Sequence, residues 1–193
     1  MFQHQSTAER VKDSDLLDAL LVPALQGNYP RQSRAFVRID TSLRIFWHTL
    51  FDICPRLLDL SPPDGLMIFR PFMAWAVEQE LSMNWTFYLW AWHWLAQSEF
   101  AERLDSDIQS SLMAASAARW AISDRSGQGG IVLGSRHLPH LLVGWKCHTV
   151  DGGREVEAVE LDNPLPLPES EFGFFTVSGY SLDHFPGWSP LPR

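Results

Sequence analysis

The 193-residue chain is short of several things, and each shortage narrows what it can be. It has two cysteines, Cys54 and Cys147, too few for a disulfide scaffold, so two reduced thiols in a cytoplasmic protein are expected. Basic charge is scarce: 15 Lys and Arg stand against 23 Asp and Glu, a formal net charge of −8. That balance argues against nucleic acid or an anionic membrane as the main partner. The stretch Met1–Arg10 holds no apolar run of the kind a secretory signal carries. The longest run without a formal charge, Leu81 to Ser98, is 18 residues long and is interrupted by Ser82, Asn84, Thr86, His93, Gln97 and Ser98. A membrane span wants about 20 mostly apolar residues, so a buried helix is expected there and no membrane contact. No internal repeat and no low-complexity segment is visible. No complete catalytic or cofactor motif can be read, and neither cofactor nor metal is expected.

What is present is core-forming. Nine Trp, twelve Phe and three Tyr lie in a chain that is 46% hydrophobic, enough for a sizeable interior. The length suits a single domain over residues 1–193, with a mainly helical portion at 13–122 and a sheet portion at 130–180. Charge is uneven: residues 1–150 have a net charge of −2, and residues 151–193, with 8 acidic and 2 basic side chains, have −6. Six of the thirteen prolines fall between Pro164 and Pro192.

Periodicity predicts about five helices in the helical portion. Asp13 or Ser14 caps a helix with Leu16, Leu17, Leu20 and Leu21 on one face. A second runs from Arg34 to Ile53, with Ile39, Leu43, Phe46, Leu50 and Ile53 in register, and Ser61-Pro62-Pro63-Asp64-Gly65 is a turn. A third spans about Leu66 to Leu81, a fourth Asn84 to about Leu104, and a fifth Ser106 to Ile122, where Ala114-Ala115-Ser116-Ala117-Ala118 is strongly helix-forming. After Gly130 the period becomes alternating. Ile131–Leu133 is a short strand. In the next, Leu141, Val143, Trp145 and Cys147 share one face, which makes Cys147 largely buried, while Leu142, Gly144, Lys146 and His148 share the other. Asp151-Gly152-Gly153 signals a hairpin whose return strand is Arg154 to Asp162. Pro164–Pro168 reads as an extended linker, and Phe172 to Ser178 as a last strand. The fold class is α+β, a helical N-terminal portion packed with a small C-terminal antiparallel β-sheet.

Four places are candidates for function. The block Phe72–Trp94 holds eight aromatics, and Trp85, Trp90, Trp92 and Trp94 do not share a helical face, so it is expected to form buried core around His93. The segment from Gly129 to Trp145 is the second. A histidine, His140, directly before an apolar strand ending in Gly144-Trp145 resembles the histidine half of papain-like cysteine hydrolases. That resemblance implies Cys54 as nucleophile, His140 as base and Asp162 or Asn163 as the group orienting the imidazole. The chain departs from the pattern where no glutamine stands just ahead of Cys54 and no glycine follows it. The third is metal: His137, His140, Cys147, His148 and Asp162 are close in sequence. Adjacent strand residues such as Cys147 and His148 point to opposite faces, however, and no bound metal is expected.

The fourth is electrostatic. Arg31, Arg34, Arg38 and Arg44, opposed by Asp40 alone, form a basic cluster, with Arg31, Arg34 and Arg38 on one helical face. Glu155, Glu157, Glu160 and Asp162 make the return strand acidic. Like charges so close add little to folding, so they are candidates for receiving a cationic surface. The preferred reading is a non-enzymatic acidic protein-binding protein, such as an inhibitor or immunity-type partner of a basic toxin or enzyme. The papain-like hydrolase is the alternative, and a small-ligand binder with a tryptophan-lined pocket is a third possibility.

Overall fold

The computed structural model describes residues 23–163, 165–182 and 184–193. The helix expected around residues 13–21 lies outside the described residues. A 3₁₀ segment, Pro23–Asn28, leads into five α-helices: α1 (Arg34–Phe51), α2 (Arg56–Leu60), α3 (Leu66–Glu78), α4 (Phe87–Ala96) and α5 (Ser106–Ser123). Four strands follow: β1 (Gly130–Ser135), β2 (Leu141–His148), β3 (Arg154–Val159) and β4 (Phe172–Val177). They form one antiparallel sheet in the order β3-β2-β1-β4. The architecture is α+β, as the change of period at Gly130 implies.

Each helix starts and stops for a local reason. Ser33 caps α1, its Oγ accepting from the Phe36 N–H at 3.1 Å. Arg31 lies in the preceding turn, so the basic face on the helix is Arg34 and Arg38 without it. The helix ends at Phe51, three residues before the Cys54-Pro55 bond. Ile53 is therefore left 48% exposed rather than in the core, and Phe51 packs inward instead. Gly65 opens α3 at φ 71°, a conformation that suits glycine, with the Phe51 ring lying where a side chain would go. Helix α4 is much shorter than the span from Asn84 to Leu104. Asn84 Oδ1 accepts from both the Thr86 N–H and the Thr86 hydroxyl at 2.8 Å, holding a turn ahead of the helix. Ser98 Oγ donates to the Leu95 carbonyl at 2.7 Å, closing it, and a 3₁₀ turn at Ala101–Arg103 follows. Asp105 caps α5, accepting from the Asp107 and Ile108 N–H groups at 3.1 and 3.0 Å.

The sheet is covered on both faces. On one, α5 crosses β1, β2 and β3 and packs with α3 and α4 into the main core, which includes Leu89, Trp92, Leu112, Trp120, Ile131 and Leu142. Gly144 sets the distance of closest approach. A Cβ there would stand 2.7 Å from the Ala117 carbonyl oxygen and 2.9 Å from its Cβ, so only glycine lets α5 rest on β2 at this point. Beyond it, the Lys146 ammonium donates to Asp124 Oδ2 and the Ser126 carbonyl, both at 2.6 Å, and stands 5.1 Å over the Trp120 ring. On the other face Val132, Val143, Trp145, Phe175 and Val177 form a second cluster, closed by Leu165 from the segment between β3 and β4 and by Leu182, Phe185 and Trp188 of the C-terminal tail. The alternation in β2 holds, but Cys147, near the hairpin end, is half-buried rather than largely buried. Cys54 is fully buried, and both thiols are free.

Within the aromatic block Trp92 is buried, while Trp85, Trp90 and Trp94 are half-buried and pack against the core from its rim. A feature with no local sequence signal ties this helix to the sheet. Glu171, just before β4, accepts from Trp92 Nε1 at 2.9 Å and meets His93 Nδ1 at 2.6 Å.

Three consequences follow for stability. Gly144→Ala forces backbone apart at the α5–β2 contact and is expected to cost about 1–3 kcal/mol in urea unfolding, the range for overpacking. Trp92→Ala is expected to cost about 3–5 kcal/mol, as for other buried aromatics, and a parental melt would place the ring outside the core. The cap is pH-dependent. Hydrogen bonds from the Ile108 N–H and the Arg56 guanidinium hold the Asp105 carboxyl below its ordinary range. Its stabilising effect is complete above the unfolded value of about 4 and is lost as pH falls through the lower folded value. Asp105→Asn keeps a capping oxygen and removes the charge. It is expected to be less stable than the parent at pH 7, with the gap closing below about pH 4.

Candidate functional site

The hairpin of β2 and β3 brings together most of the residues that sequence patterning singles out. Its turn is held by the Gly152 N–H donating to the Thr149 carbonyl and the Thr149 N–H donating to the Gly153 carbonyl, both at 2.9 Å, with Gly152 at φ 80°. Pairing is regular from Leu141 opposite Val159 to Gly144 opposite Val156, then shifts before His148 meets Arg154. The extra β2 residues bulge, and the Arg154 guanidinium donates to the Lys146 carbonyl that the bulge turns out of the ladder.

On the face away from α5, two carboxylates of β3 meet two donors of β2. The Trp145 indole N–H donates to Glu157 Oε1 at 2.6 Å, and the Cys147 thiol donates to Glu155 Oε2 at 3.2 Å. With Tyr180, whose ring lies 5.9 Å from that of Trp145, these side chains line a shallow pocket of about 320 Å³. Desolvation, and then the neighbouring Glu155 carboxylate, hold the Cys147 thiol above its ordinary value, so it stays protonated and serves as a donor. Strand β3 ends at Val159, short of the expected Asp162. Glu155 and Glu157 lie on the strand, while Glu160 and Asp162 follow it in irregular chain, and all four are exposed.

The sheet has unequal edges. Beyond β4, the tail adds a bridge in which Phe174 and Ser189 exchange both backbone hydrogen bonds, at 3.0 and 2.8 Å. Beyond β3, among the described residues, no strand is paired. The row of main-chain donors and acceptors on that edge is open.

The residues of the hydrolase reading lie on separate segments, between α1 and α2, before β2 and after β3. Cys54 lies in the helical core, where burial pushes its thiol up, opposed more weakly by the Leu57 N–H. His140 stands at the start of β2, its Nε2 3.2 Å from Ser110 Oγ on α5. Among the described residues no hydrogen bond joins Cys54 to His140, and Asp162 and Asn163 are exposed in the chain after β3. His137 and His148 are exposed as well, and no three His, Cys, Asp or Glu side chains among the described residues converge to hold a metal ion. The Glu171–His93 contact joins positions 78 apart in the chain, and no local pattern marks it.

No curated protein sequence matches the chain. One family model does, described as "Methanobactin biosynthesis cassette protein MbnC-like", and it matches residues 26–192. The match runs from the 3₁₀ segment through all five helices, the sheet and the tail. The chain therefore belongs to the MbnC-like family of methanobactin biosynthesis cassette proteins.

Proposed function

We propose that the protein is a non-enzymatic, protein-binding component of methanobactin biosynthesis, acting in the cytoplasm and holding a partner of basic surface along β3. The observation that carries this reading is the open outer edge of β3, lined by exposed Glu155 and Glu157 and continued by Glu160 and Asp162. An extended basic segment gains main-chain hydrogen bonds by adding to such an edge, and its cations complete the charge balance. The part of the chain from residue 151 onward carries most of the −8 excess, which steers a basic partner to this end of the sequence. The family description supports a place in biosynthesis, and occupying a partner rather than transforming a substrate is the kind of work expected of an inhibitor or immunity-type protein, set here in a biosynthetic cassette.

The test uses the other proteins encoded in the same cassette, purified and passed over the immobilised protein. Glu155→Lys with Glu160→Lys leaves the Glu157–Trp145 hydrogen bond in place and gives up only the Cys147 thiol–Glu155 contact at an exposed position, so folding should change by about 1 kcal/mol or less. Association with the bound cassette protein is expected to slow by about tenfold or more at low salt, and the difference should shrink as ionic strength rises past 0.15 M, where the Debye length is about 8 Å. An unchanged association rate at low salt, in a folded variant, removes β3 from the interface.

A further inference from the structure

A second concave site lies away from the sheet, between α1 and α3, and neither the family match nor the binding role proposed above assigns it. The cleft measures about 390 Å³, within the size range of small-ligand sites. Leu43 and Phe69, both buried, and the half-buried Leu66 and Trp47 supply apolar and aromatic walls. Its rim is charged, and the charges are not equivalent.

Both acidic groups at the rim are already engaged. Asp40 forms an ion pair with Arg44 Nε at 2.8 Å and accepts from Gln26 Nε2 at 3.1 Å. Asp64 Oδ1 accepts from the Leu66 N–H at 3.1 Å, and the Asp64 carbonyl accepts from the Trp47 indole at 2.8 Å. The cations are less committed. Among the described residues, the terminal nitrogens of Arg44 donate to no partner within hydrogen-bond reach, and Arg70 on the opposite wall makes neither an ion pair nor a hydrogen bond. His48, also at the rim, faces Asp52 at 3.1 Å. The cleft therefore has an apolar floor and two guanidinium groups with donors to spare, in a protein that is otherwise strongly acidic.

We propose that this cleft binds a carboxylate with a compact apolar body, of about one aromatic ring or one branched aliphatic chain. The apolar body would rest on Leu43, Phe69 and Trp47, and the carboxylate would bridge Arg44 and Arg70. A planar guanidinium fork recognises a carboxylate with two parallel hydrogen bonds, which an uncharged amide cannot reproduce. Such a group is carried by a free organic acid and by the C-terminal residue of a polypeptide alike.

The two sources are separable by titration, with the Trp47 indole N–H signal in a ¹H–¹⁵N spectrum as reporter, assigned by its loss in Trp47→Phe. The probes are 3-phenylpropionate, 4-methylpentanoate and the acetylated tripeptide Ala-Phe-Ala with a free C-terminus. At least one acid or the peptide is expected to shift the signal saturably. Its uncharged amide, and the Arg70→Gln and Arg44→Gln proteins, should each bind about tenfold more weakly, equivalent to 1.4 kcal/mol. Tighter binding of the peptide identifies a chain terminus as the source, and tighter binding of a small acid identifies a free acid. Both arginines are exposed, so the variants should keep the parental spectrum outside the cleft. Equal affinity for acid and amide, parental affinity in Arg70→Gln, or no saturable shift with any of the three probes overturns the proposal. None of these readouts involves β3, so failure here leaves the edge-strand reading standing, and the reverse holds too.

Discussion

The backbone contact between Gly144 on β2 and Ala117 on α5 governs the rest of the molecule. A helix normally stands off a sheet, separated by interdigitated side chains from both. Here one of those side chains is missing, and the Ala117 carbonyl comes within 2.7 Å of where a Cβ would be. That approach lets Leu142 and Ile131 interlock with Leu112 and Met113 in one core. It also places Lys146, one pleat further along, over the Trp120 ring and within reach of Asp124. Burial alone would raise the Asp124 carboxyl. The Lys146 ammonium and the Ser126 donors outweigh it and hold that carboxyl below its ordinary value. With the Gly144 and Lys146 side of β2 fixed against α5, Trp145 and Cys147 have to face the other way, and the pocket they share with Glu155 and Glu157 is a consequence.

The two sheet edges are treated differently, and charge explains how an open one is tolerated. A free strand edge invites pairing with a second copy of the same chain. At the β4 edge the tail removes the opportunity through the Phe174–Ser189 bridge. At the β3 edge Glu155 and Glu157 do so by repulsion, since a second identical strand brings the same carboxylates close. The same device selects partners: a strand bearing lysine or arginine turns the repulsion into attraction. An open acidic edge is thus disfavoured for self-association, and under the binding role proposed above the same charge favours a basic chain.

The broad plan was readable because it depends on short-range pattern. Helical spacing before residue 124 and strict alternation after Gly130 mark the helical and sheet portions, and the parity of β2 is correct at Val143, Trp145, Leu142 and Gly144. Helix ends were harder, because they turn on single side chains that compete with the helix for backbone groups. Asn84 and Ser98 cut α4 to Phe87–Ala96, within a run that composition alone would make helical throughout. The half-burial of Cys147 depends on how far the tail reaches across the sheet, which no pattern in β2 encodes. The edge role of β3 was hidden for the same reason: its acidity is visible in the chain, but strand order is a tertiary property. Order and spacing suggest the thiol–imidazole pairing but encode nothing of the surroundings of either group. In three dimensions Cys54 is buried in the helical core, while His140 contacts Ser110 on α5.

The distribution of charge gives the protein two surfaces of opposite preference. The hairpin end offers carboxylates, and the cleft between α1 and α3 offers guanidinium groups beside two acids, of which Asp40 is ion-paired with Arg44 and Asp64 holds the Leu66 N–H. A basic segment attracted to β3 gains nothing at the cleft, where it meets Arg44 and Arg70. An anionic group suited to the cleft is repelled by Glu155 and Glu157. Specificity of this kind comes as much from the rejected site as from the accepted one. Under the two proposals made above, that separation would keep a basic segment at β3 and a carboxylate in the cleft from occupying each other's place.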